Sequence, residues 1–269
     1  MSELDTAQIS EDLVNLEVEE IENGKKVATI IFNDHDRRNA MTEDMAVRFR
    51  VVVEELRSIK PDVIIVTGAG SAFSAGGDLQ MIEKKQSQPY EQNRDEMFEF
   101  YNSFLAVLDL DVPVIAAVNG AAIGAGLCFA SVADVRLVAE GEKKNLGFSF
   151  SKLGLTPGMG GTVFVPLRIG EEKAQLMFET GDNITPIEAC EAGMFDEVVK
   201  LEELRERTRE IAIRIAFFSE EAEEILSKRI DKQVLRDGLV KESEGQGASF
   251  LTEEHRSKYR TFVEGLSRK

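Results

Sequence analysis

The chain has 269 residues, 43% of them apolar, enough to bury the core of one large domain or two small ones. Its 49 acidic residues against 32 basic ones leave a formal net charge of −17, and this excess disfavours a nucleic-acid groove or an anionic membrane surface, because both need clustered Lys and Arg. Two cysteines, Cys128 and Cys190, stand in no Cys-x-x-Cys spacing; with no signal-like N-terminal segment and no unbroken apolar span, they point to a cytoplasmic protein with reduced, buried thiols.

In chain order, residues 13–33 read as a hairpin: Leu13 to Glu19 alternates, Asn23-Gly24 supplies the turn, and Val27 to Phe32 returns. Thr42 to Ser58 is a predicted helix with Thr42 as N-cap and Met45, Phe49, Val52, Val53 and Leu56 at helical spacing. A strand at Val63–Thr67 follows, then a polar segment over 79–90 expected to be mobile, and a helix from Glu91 to Leu108. Val114–Val118 is a strand, Gly124 opens a helix, and Asp134–Val138 is a strand. Alternating strands and helices predict an α/β core with a largely parallel sheet. From Glu171 onward the pattern turns helical, over Glu171–Thr180, Pro186–Ala192, Leu201–Phe217, Glu220–Asp237 and Thr252–Leu266, with Phe195–Val199 as a last short strand. A soft boundary near residue 200 divides a core (1–200) from a helical C-terminal region (201–269).

Two glycine-rich segments carry the chemistry: Gly68-Ala-Gly-Ser-Ala-Phe-Ser-Ala-Gly-Gly-Asp-Leu79 and Asn119-Gly-Ala-Ala-Ile-Gly-Ala-Gly126. Each follows an apolar strand and leads into a helix, so each presents free backbone N–H groups at a positive helix end. Two such turns aimed at one point would form an oxyanion hole for charge building on a carbonyl oxygen. That predicts chemistry on an acyl group.

At these residues the chain resembles the crotonase, or enoyl-CoA hydratase/isomerase, superfamily. Gly68 to Asp78 matches the family's Gly-x-Gly-x-x-Phe-x-x-Gly-x-Asp, and Pro113 to Gly126 matches Pro-x-Ile-Ala-x-Val-Asn-Gly-x-Ala-x-Gly-x-Gly. Arg38-Asn-Ala-Met41, Ala133-Asp134 and Leu153-Gly-Leu-Thr-Pro-Gly158 extend the match over roughly residues 12–264. The resemblance implies a spiral of ββα units with a helical C-terminal trimerisation region, a coenzyme A thioester as substrate, no other cofactor, and a homotrimer or hexamer. It implies that the oxyanion donors are the N–H groups of Gly77 and Ala125. It assigns Arg38 and Ala40 to the CoA phosphates and adenine, and Ala75, Asp78 and Leu79 to the groove around the bent ligand, with Gly124, Cys128, Phe150 and Gly158 among the further substrate-binding positions. Phe262 matches a C-terminal phenylalanine that reaches toward CoA, often from a neighbouring subunit. Three residues later the family's lysine is Gly265 here, with Arg268 or Lys269 as substitutes.

The departure lies in the acids. Hydratases of the family use two glutamates, and those positions hold Cys128 and Phe150 in this chain. A phenylalanine cannot move protons, and a thiol on an apolar helix is ordinarily inert packing. Ser149, Ser151, Lys152 and Thr156 are weak substitutes, and strand alternation would turn Ser149 and Ser151 away from Phe150. His35 and His255 both read as solvated, and no metal-ligand spacing is present. The expectation is an acyl-CoA enzyme that stabilises an enolate or oxyanion, with decarboxylase-, hydrolase- or isomerase-like chemistry favoured over efficient hydration. The alternative is a non-catalytic acyl-CoA binder.

Overall fold

The computed structural model describes residues 10–267; Arg268 and Lys269 lie outside them. β1 (Val14–Glu20) and β2 (Lys26–Phe32) form the expected antiparallel hairpin, with Asn23 at φ 60° and Gly24 at φ 70° in its turn. α1 (Glu43–Ile59) starts where the Thr42 hydroxyl accepts the Met45 N–H at 3.0 Å. Its five predicted apolar positions are all buried, each worth about 1.5–3 kcal/mol. β3 (Val63–Gly68), β4 (Ala72–Ser74), α2 (Leu79–Lys85) and α3 (Tyr90–Leu105) follow. Next come β5 (Val114–Val118), β6 (Ala121–Ile123), α4 (Ala125–Val132), β7 (Val135–Ala139), β8 (Leu146–Gly147), α5 (Gly161–Ile169), α6 (Glu171–Thr180), α7 (Pro186–Ala192) and β9 (Glu197–Val199). The chain closes with α8 (Leu201–Phe217), α9 (Ser219–Ser227), α10 (Lys232–Ser249) and α11 (Glu253–Ser267).

The strands make two sheets. The larger runs β1-β2-β3-β5-β7-β9, parallel after the first pair, and the smaller runs β4-β6-β8, parallel throughout. Three times the chain lays a strand in the large sheet, steps to the small sheet, and turns into a helix. This is the ββα spiral that the resemblance implies. The large sheet is covered on both faces: Ile64, Val66, Val114 and Ala116 join the main core, while Val63, Ile65, Ile115 and Leu137 meet Leu204, Ile211 and Ile215 of α8. Burial on both sides explains why β3 and β5 read as unbroken apolar runs.

Several boundaries differ from the sequence reading. Residues 79–85 are helical, because Asp78 caps them by accepting the Met81 N–H at 2.8 Å and the turn buries Met81 and Ile82. Its Lys85 is also buried, with Nζ 2.7 Å from Glu96. The helix expected over Glu91–Leu108 ends at Leu105 and continues as a 3₁₀ turn over Ala106–Leu110. The helix expected over Glu220–Asp237 is two helices, since Asp231 caps α10, and Gly238 lies within α10 against Val163 rather than ending a helix. The small sheet and α5 carry too short a periodic signal to be read.

The helical region is bonded to the residues before it. Arg229, in the turn before α10, makes a two-pronged contact with Asp134, at 2.9 Å to Oδ1 and 2.5 Å to Oδ2, and donates to the carbonyls of Val112 and Leu108. α10 runs along α3 so closely that a Cβ on Gly247 would meet the Arg94 backbone at 3.0 Å.

Candidate active site

The two glycine-rich segments converge. Asn119, which opens the second, accepts the Gly68 N–H at 3.1 Å and donates to Gly70 O at 3.0 Å, clamping one loop to the other. Asn39, wholly buried, donates to Ala69 O and Ala72 O and accepts the Asp34 N–H, which holds Arg38 and Asn39 in left-handed backbone (φ 52° and 57°). Segment 38–41 thereby pairs with segment 75–78: Ala75 N donates to Arg38 O, Met41 N to Gly76 O, and Asp78 N to Met41 O. In that parallel pairing Gly77 is the alternate residue, so its own N–H points away from the neighbouring strand.

Ala125 is the first residue of α4, where a helix leaves its N–H groups without internal acceptors. The Gly124 N–H before it is taken by Gly147 O at 2.8 Å. Among the described residues neither the Gly77 nor the Ala125 N–H donates to an acceptor of the chain. Gly76 is required between them. Its φ is 86°, and a side chain there would run into Ile123 O and come within 3.4 Å of Ala125 N.

Gly77 and Ala125 both line a cavity of about 480 Å3, within the range of small-molecule sites. Arg38, Ala40, Ala75, Gly77, Asp78, Leu79, Gly124, Ala125, Phe150, Gly158 and Phe262 all line it. Arg37 and Arg38 stand exposed at its edge, so the positive charge faces solvent. The Asp78 side chain is engaged as the cap of α2.

Cys128 is not brought to this cavity. It sits one turn into α4, fully buried, with its thiol against Gly161 at the start of α5. Burial, and then the nearby Glu242 carboxylate, push its pKa well up, which is the condition of an inert thiol. Ser149 corrects the sequence reading in the other direction. The chain turns at Phe150 (φ −56°, ψ −48°) into a 3₁₀ turn over Ser151–Leu153, so strand alternation fails and Ser149 lines the cavity together with Phe150. Thr156 is exposed and does not line it.

His255 is also corrected, because it is wholly buried rather than solvated. Its Nδ1 lies 2.6 Å from Leu153 O, an acceptor only, so Nδ1 carries the hydrogen; Nε2 faces Gln86 Nε2 at 3.4 Å. Desolvation lowers its pKa, which keeps the ring neutral. With Tyr259 Oη donating to Leu79 O at 2.9 Å and Lys258 Nζ to Ser151 O at 3.1 Å, it straps α11 across α2 and the 151–153 turn. That strap places Phe262 of the same chain on the cavity wall. Gly265 meets no atom within 4 Å of a Cβ position.

Tyr101 on α3, and Gln246 and Phe250 around the end of α10, are among the lining residues with no signal in the sequence. The Tyr101 Oη donates to Gln246 Oε1 at 2.5 Å, a bond across 145 positions of sequence. Behind them Glu242, 3% exposed, accepts Gly160 N–H at 2.8 Å and both Thr162 N–H and hydroxyl at 2.7 Å, closing the N-terminus of α5.

A family model described as "Enoyl-CoA hydratase/isomerase" matches residues 22–268. The chain belongs to the enoyl-CoA hydratase/isomerase family. Among curated relatives it is 42% identical to the probable enoyl-CoA hydratase EchA14 of Mycobacterium tuberculosis over 158 residues, which span 57% of this chain and 59% of that protein. It is 31% identical over 250 residues to the short-chain-enoyl-CoA hydratase of Clostridium acetobutylicum, covering 91% of this chain and 94% of that one. Among solved structures, an enoyl-CoA hydratase from Bacillus halodurans shares the crotonase fold with a TM-score of 0.79 at 21% identity, covering 93% of this chain and 99% of that one. The ECH2 decarboxylase domain of CurF from Lyngbya majuscula shares it with a TM-score of 0.74 at 24% identity, over 93% and 99%.

Proposed function

We propose that the protein binds an acyl-CoA thioester with its carbonyl oxygen between the N–H groups of Gly77 and Ala125, and that these amides stabilise the enolate or oxyanion formed there. The observation that carries this reading is the pair of partnerless amides on one cavity wall, in a cavity with no carboxylate at either family acid position. An anion on the thioester oxygen gains two charge-assisted hydrogen bonds from donors already fixed in place, and removing one such donor typically costs about 3 kcal/mol of transition-state stabilisation. The reaction that follows is of the decarboxylase, hydrolase or isomerase type, since these need the anion hole without two glutamates. CoA enters as part of the substrate and no further cofactor is required. The enzyme is read as cytoplasmic; among the described residues no helix is long and apolar enough to cross a membrane.

The test is a crystal structure with a non-reacting acyl-CoA analogue. The thioester oxygen is expected within about 3.2 Å of both nitrogens, and an acyl oxygen more than about 4 Å from either would overturn the reading. Turnover of a thioester panel separates the enzyme from a passive acyl-CoA binder.

Assembly into a trimer, or a hexamer of two trimers, through the region after residue 171 belongs to the same proposal. Leu176, Ile187, Leu201, Phe218 and Val234 on these helices are each more than half exposed and are apolar side chains that such an interface would cover. Light scattering at micromolar concentration is expected to give three or six times the 29.9 kDa chain mass, and a monomer across moderate salt would contradict it.

A further inference from the structure

An enolate held by Gly77 and Ala125 must be protonated on carbon before product can leave, and few groups on the cavity wall have a proton to give. Arg37, Arg38 and Gln80 are exposed, Asp78 accepts the Met81 N–H as the cap of α2, and the Tyr101 hydroxyl is committed to Gln246 Oε1. Ser149 differs. It is half-buried on the wall, and its hydroxyl has no hydrogen-bond partner among the described residues yet is not sealed from solvent. Its backbone fixes where it stands. The Gly124 N–H donates to Gly147 O at 2.8 Å, fastening β8 beside the segment that leads to Ala125, and the turn at Phe150 closes with the Lys152 N–H on Ser149 O at 3.2 Å. Ser149 Oγ thereby lies 3.6 Å from where a Cβ on Gly124 would be, with the Phe150 ring 3.9 Å from the same point. Gly124 directly precedes the Ala125 donor, so a thioester oxygen on that N–H would bring its α-carbon, two bonds away, to this corner of the cavity.

We propose that Ser149 is a catalytic residue, whose hydroxyl delivers a proton to one face of the enolate left when a malonyl-type thioester loses CO2. The inference rests on the acyl-CoA reading above and adds a residue to that site. Hydrolysis and isomerisation begin with removal of a proton, for which a neutral hydroxyl is too weak a base; loss of CO2 needs no base, only an acid afterwards. The apolar wall of Met81, Ile82, Phe150 and Leu155 solvates a carboxylate poorly, which favours passing its charge to the oxygen between the two amides. The bond to the carboxylate breaks, its electron pair enters the enolate, and CO2 departs. The α-carbon then takes the Ser149 proton, a downhill transfer because a thioester α-carbon is a weaker acid than an alcohol. Water reprotonates the Ser149 oxygen, and the hydroxide formed combines with CO2 as bicarbonate.

The test is turnover of 2-methylmalonyl-CoA by the full-length protein in deuterium oxide, reading the two mirror-image 2-deuteriopropionyl-CoA products. The wild type is expected to give about a 10-fold excess of one, since a positioned acid outpaces protonation by bulk water by that much or more. Ser149→Ala should bring the ratio to about one, with calorimetric affinity for propionyl-CoA changed less than twofold. A ratio near one in the wild type overturns the proposal, and so does a wild-type excess that persists in Ser149→Ala. Release of no CO2 by a wild type that binds both thioesters also overturns it, while leaving the amide pair as an acyl-CoA site. Absence of binding by every acyl-CoA is a different result: it removes the acyl-CoA reading itself, and the role of Ser149 with it.

Discussion

Hydration of crotonyl-CoA by this protein is expected to run at least about 10³-fold slower than by a two-glutamate relative, because each positioned general acid–base group typically contributes 10²- to 10⁴-fold. On the proposed reading the thioester is still held by Gly77 and Ala125, so the deficit should fall on kcat more than on KM. The geometry distinguishes the two missing acids. Phe150 lines the cavity, so Phe150→Glu would place a carboxylate near the acyl group and is the variant that should raise hydration. Cys128→Glu would put a larger, charged side chain into a fully buried site behind the wall, close to Glu242, and should lower stability without aiding the reaction. The measurement is steady-state hydration with the product identified by mass. Ordinary enzymatic rates in the wild type would mean that another residue on the wall, such as Ser149, supplies the protons.

What was legible in the sequence around the cavity were the parts fixed by backbone constraint. Gly76 must be glycine because its φ is positive and Ile123 O stands where a side chain would go, and Gly77 and Ala125 follow from it by position. Such demands are local, so they leave a readable spacing. Tyr101, Gln246 and Glu242 have no such signature: a tyrosine in an amphipathic helix reads as core, and a glutamate or glutamine in a polar helix reads as surface. Only the laying of α10 along α3 makes them neighbours, and that contact is a tertiary fact. His255 was misread for the same reason, since its flanking charges, Glu254 and Arg256, point outward while its own ring is buried against Phe250 and Tyr259. The fold divides similarly. Long helices and the large sheet were legible from periodicity, whereas strands of two or three residues are too short to show one. Ser149 shows the cost of that, because alternation was carried through a segment that turns.

Glu242→Ala is expected to lower the unfolding free energy by about 4 kcal/mol, the largest stability change among these substitutions. Its carboxylate is the acceptor for three donors at the start of α5, the N–H groups of Gly160 and Thr162 and the Thr162 hydroxyl. Truncation leaves these facing a cavity, and each orphaned buried donor costs about 1–3 kcal/mol. It also removes a negative charge from a helix N-terminus and a link between α10 and α5. The pH dependence has a definite sign. Burial is the largest influence on Glu242 and raises its pKa above the ordinary 4.5, against the lowering effect of its donors. A carboxyl that is harder to ionise in the folded state contributes most to stability below its unfolded pKa, and loses that contribution as pH rises through the raised folded value. Against the non-titrating Glu242→Gln, the wild type should therefore gain relative stability as pH falls from 7 toward 4. Urea unfolding of wild type, Glu242→Ala and Glu242→Gln at several pH values reads both effects. A loss below about 1 kcal/mol for Glu242→Ala would show that the carboxylate is not the buried cap of α5, and a wild-type advantage over Glu242→Gln that shrinks toward acid pH would show that its three donors outweigh burial in setting its pKa.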